Sequence, residues 1–106
     1  MIEVRSKSSG TVTFDGSLIT ISRDTMAARS VFGRTQQTIP VAQVSGIEWR
    51  DASRWHGGYL RLLVAGSQAA ASQTPVNRDA NAVFFSPKTQ PEFEKLRKAI
   101  EQALSR

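Results

Sequence analysis

The chain of 106 residues contains no cysteine. That absence excludes a disulfide framework, a thiolate metal site and a cysteine nucleophile, and it fits a reducing compartment. His56 is the one histidine, which excludes a histidine cluster for metal binding. No apolar run approaches the length of about 20 residues that spans a bilayer. The first residues, Met1-Ile2-Glu3-Val4-Arg5-Ser6-Lys7, form no apolar stretch of the signal-peptide kind, so a cytoplasmic location is the expectation. Glycine-rich phosphate loops are missing as well. Gly57-Gly58 precedes a strand-like run, whereas a phosphate cradle precedes a helix. Serines are plentiful, yet none lies in a nucleophile-elbow pattern. Asp15, Asp24, Asp51 and Asp79 fall in turn-like contexts, where aspartate favours its own backbone geometry. Catalysis needs convergent polar groups; without them, no enzyme activity, cofactor or small-molecule substrate is expected.

What is present fits one domain covering residues 1–106, because single cores usually occupy about 100–150 residues. The formal net charge is +5, which favours anionic surfaces, but its distribution matters more than its sum. Near the C-terminus Lys95, Arg97 and Lys98 alternate with Glu92, Glu94 and Glu101, and the spacings Glu94–Lys98 and Arg97–Glu101 describe a solvated helix face. The unbalanced excess is mostly arginine and lies upstream, at Arg5, Arg23, Arg29, Arg34, Arg50, Arg54, Arg61 and Arg78. These stand singly along strands and loops and make no cluster.

Strand-like runs fill the sequence up to Ser86. Thr11 to Phe14 alternates, with Val12 and Phe14 on one face. Asp15-Gly16 then separates it from Leu18 to Ile21, a strong short hairpin signal that predicts a type I′ turn. Ile2 to Arg5 is either a separate strand or, the reading favoured, the start of one long strand bent at Ser8-Ser9-Gly10. Asp24 to Gly33 breaks the pattern and is read as a loop with at most one helical turn at Met26-Ala27-Ala28. Arg34 to Ile39 is β-permissive and ends at Pro40, which cannot donate to a ladder. In Val44 to Arg50, Ile47 and Trp49 face the core. In Tyr59 to Ala65, Leu60, Leu62 and Val64 point inward while Tyr59 and Arg61 point outward. Residues 66–80, rich in Ala, Ser, Gln and Asn, are expected to be a mobile loop, with a short edge strand near Thr74 to Asn77. Ala82 to Phe85 is the last strand.

One amphipathic helix, Gln90 to Leu104, closes the chain. Thr89 and Glu92 have the spacing of a capping box, and Pro91 suits the first turn. Phe93, Leu96, Ile100, Ala103 and Leu104 form one apolar stripe. The expected fold is therefore mainly β with one C-terminal helix. Six or seven antiparallel strands would make a small sandwich or partly open barrel, closed by a helix that buries the core and hides an edge. A pleckstrin-homology-like barrel has this element order.

Several strings carry a closer resemblance: Gly10-Thr-Val-Thr-Phe-Asp-Gly16, Ile39-Pro-Val-Ala-Gln-Val44 leading to Ile47-Glu-Trp49, Gly58-Tyr-Leu-Arg61, Asn81-Ala-Val-Phe-Phe85 and the Glu92-Phe-Glu-Lys-Leu96 helix. Together they resemble a domain family of unknown function, found in bacterial and bacteriophage proteins, with a pleckstrin-homology-like fold. The resemblance covers nearly the whole chain and implies a binding role without catalytic residues. Pleckstrin-homology domains that bind phosphoinositides carry Lys and Arg in and beside the first hairpin loop. Here the corresponding Asp15-Gly16 is acidic and flanked by Phe14 and Ser17, which argues against head-group recognition at that place.

Two segments offer partner contacts. Arg54-Trp55-His56-Gly57-Gly58-Tyr59, with Arg61 beyond it, is the densest group of residue types found at binding hot spots; alternatively Trp55 folds back over the barrel mouth. Met26, Arg29, Val31, Phe32 and Arg34 mix apolar and basic groups in a second loop, or else Val31 and Phe32 tuck into the core. The leading expectation is a non-enzymatic interaction module that binds a protein partner or itself, with Arg34 to Ile39 as an edge open to strand addition. The alternative is peripheral binding to anionic lipid through the second loop. Nucleic acid ranks below both, because stacking needs several aromatics on one face.

Overall fold

The computed structural model describes residues 1–33, 35–64 and 79–105. Alternation in the sequence becomes two antiparallel sheets. The first holds β1 (Ile2–Ser6), β2 (Gly10–Phe14), β3 (Leu18–Ser22) and β4 (Gln36–Pro40) in that order. The second holds β5 (Val44–Arg50), β6 (Gly58–Val64) and β7 (Ala82–Phe85). A 3₁₀ turn at Val41–Gln43 passes the chain from one sheet to the other. The described residues form no closed barrel.

The core lies where the sheets and the last helix, α2 (Gln90–Leu104), meet. Val12, Phe14, Ile19, Ile21 and Ile39 come from the first sheet, Leu60, Leu62, Val83 and Phe85 from the second, and Phe93, Leu96 and Ile100 from α2. Each such side chain contributes about 1.5–3 kcal/mol by leaving water. The inward sets expected for β2, β6 and α2 are the observed ones. Phe85 stacks on Phe93 at 4.8 Å between ring centroids, with Trp49 4.9 Å from Phe85 on the other side. The Arg97 guanidinium covers Trp49 at 4.4 Å. Arg97 also pairs with Glu101 at 3.6 Å, as the spacing predicts, whereas Glu94 accepts from Gln90 Nε2.

Four local readings need correction. β1 is a separate strand that pairs antiparallel with β2, Ser6 facing Gly10. The tight turn is possible because Gly10 takes a φ of +97° against the backbone of Ser22. At the next turn only Gly16 has positive φ, so the type I′ geometry does not form. Asp15 Oδ1 instead accepts from the N–H groups of Ser17 and Leu18 at 2.8 and 2.7 Å, an Asx-type closure. The segment after β3 is a helix, α1 (Met26–Phe32), and not a loop: Thr25 Oγ1 accepts from Ala28 N–H, and the Gly33 N–H closes the far end on Arg29 O. The capping box of α2 is not made. Thr89 is itself helical and its Oγ1 accepts from Ser86 N–H at 3.1 Å, so the side chain closes the β7–α2 turn.

A buried arginine knits the sheets together. The Arg23 guanidinium donates to the carbonyls of Ser9, Ala80 and Ala82 at 2.9 to 3.0 Å. Burial lowers its pKa to about 10, opposed by the charge of Asp79, so it stays ionised at neutral pH. Ser6 Oγ donates to Phe84 O, and Phe84 N–H donates to Ser9 Oγ at 2.8 Å, which fastens the β1–β2 turn to β7.

Candidate functional site

These fastenings bring four connections to one end of the molecule: the β1–β2 turn, the start of α1, the β5–β6 loop and the β7–α2 turn. Between them lie two hollows. One, of about 910 Å³, runs along Arg5, Lys7, Ser8, Met26, Ser86 and Lys88. The other, of about 310 Å³, lies against Arg54, Trp55, His56, Phe84 and Pro87, and it too includes Ser8 and Ser86. The two hollows share Ser8 and Ser86 in their walls and are together called the trough here, with Met26 at the wider hollow and Trp55 at the narrower.

The β5–β6 loop is held by its own sequence. Ser53 N–H donates to His56 O at 2.7 Å, and Ser53 Oγ accepts from His56 N–H at 3.0 Å. Arg50 Nη2 reaches Gly57 O, and Gln90 Oε1 accepts from Ala52 N–H, both at 2.6 Å. Gly58 has no room for a side chain: a Cβ there would lie 2.4 Å from the Phe85 ring and 2.6 Å from Ala52 N. The glycine lets the loop sit flush on β7. Trp55 is left 82% exposed, so it does not fold back over the core. The Arg54 guanidinium lies 5.9 Å from the Trp55 ring.

The expected site residues separate into groups. Arg54, Trp55 and His56 stand together, exposed, on this loop. Tyr59 lies apart on the outer face of the second sheet, where its hydroxyl donates to Glu48 Oε1 at 2.6 Å and Arg50 covers its ring at 4.9 Å. That hydrogen bond raises the Tyr59 pKa above its ordinary value, with burial adding to the effect. Arg61 is on the outward face, as alternation predicts, but is 7% exposed rather than solvated. Its Nε donates to Asp79 Oδ2 at 2.7 Å and its Nη1 lies 3.6 Å from Glu48 Oε2, so two carboxylates face it. Arg61 is thus part of the scaffold and not of a binding surface.

From the second segment, Met26 is 88% exposed and reaches the trough. Arg29 faces elsewhere: its Nη2 donates to Asp24 O, and it borders a hollow with Thr35 and Gln36. Arg34 lies outside the described residues, as do the side chains of Val31 and Phe32 and nearly all of the 66–80 connection with its expected edge strand. Among the described residues β4 is an edge of the first sheet, paired only with β3.

Sequence reasoning missed Arg5, Lys7 and Lys88 as members of the site. Lys7 precedes Ser8-Ser9-Gly10 and Lys88 follows Pro87, so their turn contexts were visible; that the two turns adjoin was not. Arg5, Lys7 and Lys88 form no ion pair among the described residues. The aspartates are committed locally: Asp24 accepts from Thr11, and Asp51 accepts from Trp49 Nε1 and Gln90 Nε2. Among the described residues no group of three His, Asp or Glu side chains is placed to hold a metal ion.

Residues 12–101 match the model of a family described as Domain of unknown function (DUF4429). The chain belongs to that family. The match runs from within β2 into α2, so it takes in the second sheet, the first sheet apart from β1, and Met26, Trp55 and Lys88, and leaves Arg5 and Lys7 outside it. The chain matches no curated protein and no solved structure.

Proposed function

We propose that this domain is a non-enzymatic interaction module that binds a protein partner through the end of the molecule bearing Trp55. The observation that carries the reading is that an exposed tryptophan stands on a hydrogen-bonded loop. A tryptophan that is 82% exposed would ordinarily be withdrawn from water, and here the loop beneath it is braced by hydrogen bonds to Ser53, Gly57 and Gln90. Pre-organised aromatic side chains beside arginine supply a large share of binding energy at protein interfaces. The arrangement of four strands, three strands and a closing helix supports a pleckstrin-homology-like architecture, in keeping with a binding role. The lack of cysteine supports a reducing, cytoplasmic setting. β4, an edge among the described residues, is a secondary place for strand addition by a partner or a second copy.

The test is affinity capture from the native host with the wild-type domain and Trp55→Ala side by side, read by quantitative mass spectrometry. A protein recovered with the wild type and depleted about tenfold or more with the variant supports the reading, since a hot-spot aromatic is worth at least 1.4 kcal/mol or so. Equal recovery with both proteins overturns it.

A further inference from the structure

Resting on that reading, we infer that the partner presents an extended acidic segment with a large apolar side chain, which lies in the trough between Lys7 and Lys88. Arg5, Lys7 and Lys88 line the wider hollow and Arg54 stands at the narrower one, while among the described residues Asp24 is the one carboxylate lining either hollow. Asp24 already accepts a hydrogen bond from Thr11. The trough is therefore cationic in excess, and no carboxylate of the described residues pairs with those four basic groups. Like-charged partners are rejected by such a surface and acidic ones are steered to it.

The apolar requirement comes from Met26 and Trp55, both more than four-fifths exposed. Methionine adapts to varied apolar shapes, and tryptophan anchors a contact. The concave shape favours a polypeptide segment over a bilayer: the basic side chains line a hollow of about 910 Å³, which a chain can enter and a nearly flat surface cannot. A second copy of this chain is a poor source of the segment. Its acidic residues stand singly, or alternate with lysine and arginine in α2. The partner is a different protein.

The experiment is selection from a displayed library of random peptides, followed by binding measurements with synthetic versions of the enriched sequences. Enriched peptides are expected to be rich in Asp and Glu, to carry at least one large apolar residue, and to bind more weakly as salt rises. Lys7→Glu/Lys88→Glu and Met26→Ser should each weaken binding, the double variant by about tenfold or more. All three side chains are exposed, so thermal unfolding should be unchanged; Lys7→Gln/Lys88→Gln serves in place of the charge reversal if it unfolds. Enrichment of neutral or basic peptides, no enrichment, or equal binding by the double variant would overturn the inference. So would sedimentation with phosphatidylglycerol-containing vesicles in the absence of peptide enrichment, which would assign the trough to a membrane. Trp55-dependent capture of a partner that survives intact in the double variant would remove the acidic segment while leaving the interaction module standing.

Discussion

Gln90 Oε1 accepts the backbone N–H of Ala52 at 2.6 Å, so the first residue of the closing helix holds the loop that displays Trp55. The same amide donates through Nε2 to Asp51 and to Glu94. A helix selected for its apolar stripe therefore also sets the posture of the exposed tryptophan.

Replacing this anchor should loosen the loop before it harms the core. Gln90→Ala leaves a half-buried N–H without its acceptor, at a cost of about 1–2 kcal/mol. In a domain of this size the melting temperature should fall by roughly 4–8 °C for each kcal/mol lost. Hydrogen exchange should quicken first at Ala52 and its loop, with β2 and β3 keeping protection relative to global unfolding. Uniform loss of protection would mean that Gln90 serves the whole fold and not the loop.

Gly10 and Gly16 offer a matched pair. Their φ angles are +97° and +101°, but a Cβ on Gly10 would lie 2.0 Å from Ser22 O, whereas one on Gly16 would meet nothing within 4 Å. Gly16→Ala should cost only the left-handed backbone penalty, about 1–2 kcal/mol. Gly10→Ala adds a backbone collision and should cost about 3 kcal/mol or more. Urea titration of the two variants measures the difference; equal midpoints would show that the β2–β3 contact yields without cost.

Much of this architecture was legible because it rests on local periodicity. Val12 and Phe14, Leu60 and Leu62, and Phe93, Leu96 and Ile100 declare their faces by spacing alone, and Pro40 ends β4 as its missing N–H requires. What was not legible depended on partners distant in sequence. Alternation puts Arg61 on the outer face, but nothing near it in the chain says that Asp79 will return to cover it. Thr25 and Gly33 stand at the two ends of α1, but the seven residues between them are too few to show a helical period, which hid the helix. In the site, Trp55 was visible as a residue type, while its grouping with Lys7, Met26 and Lys88 needed the tertiary fold.

Tyr59 is the chain's one tyrosine, so phenolate absorbance reports it alone. Its hydroxyl donates to Glu48, which raises the pKa above the ordinary 10.0. The folded state thus holds this proton more tightly than the unfolded chain. The corresponding stability is present below pH 10.0 and is lost as pH rises through the higher folded value. Glu48→Ala should bring the titration back towards the ordinary midpoint and flatten stability across that alkaline window. An unchanged midpoint in the variant would dismiss the hydrogen bond as the cause.

Arg23 and Arg61 between them fix the chain where it re-enters the second sheet, Arg23 through the carbonyls of Ala80 and Ala82 and Arg61 through Asp79. Their grip fixes Asp79 to Ala82 through contacts from the end of β3 and from β6. Relatives that differ in the number of residues between Val64 and Asp79 should keep the same trough, and a reporter inserted in that interval should leave partner recognition intact. Two guanidinium groups thereby set the point at which the chain joins β7.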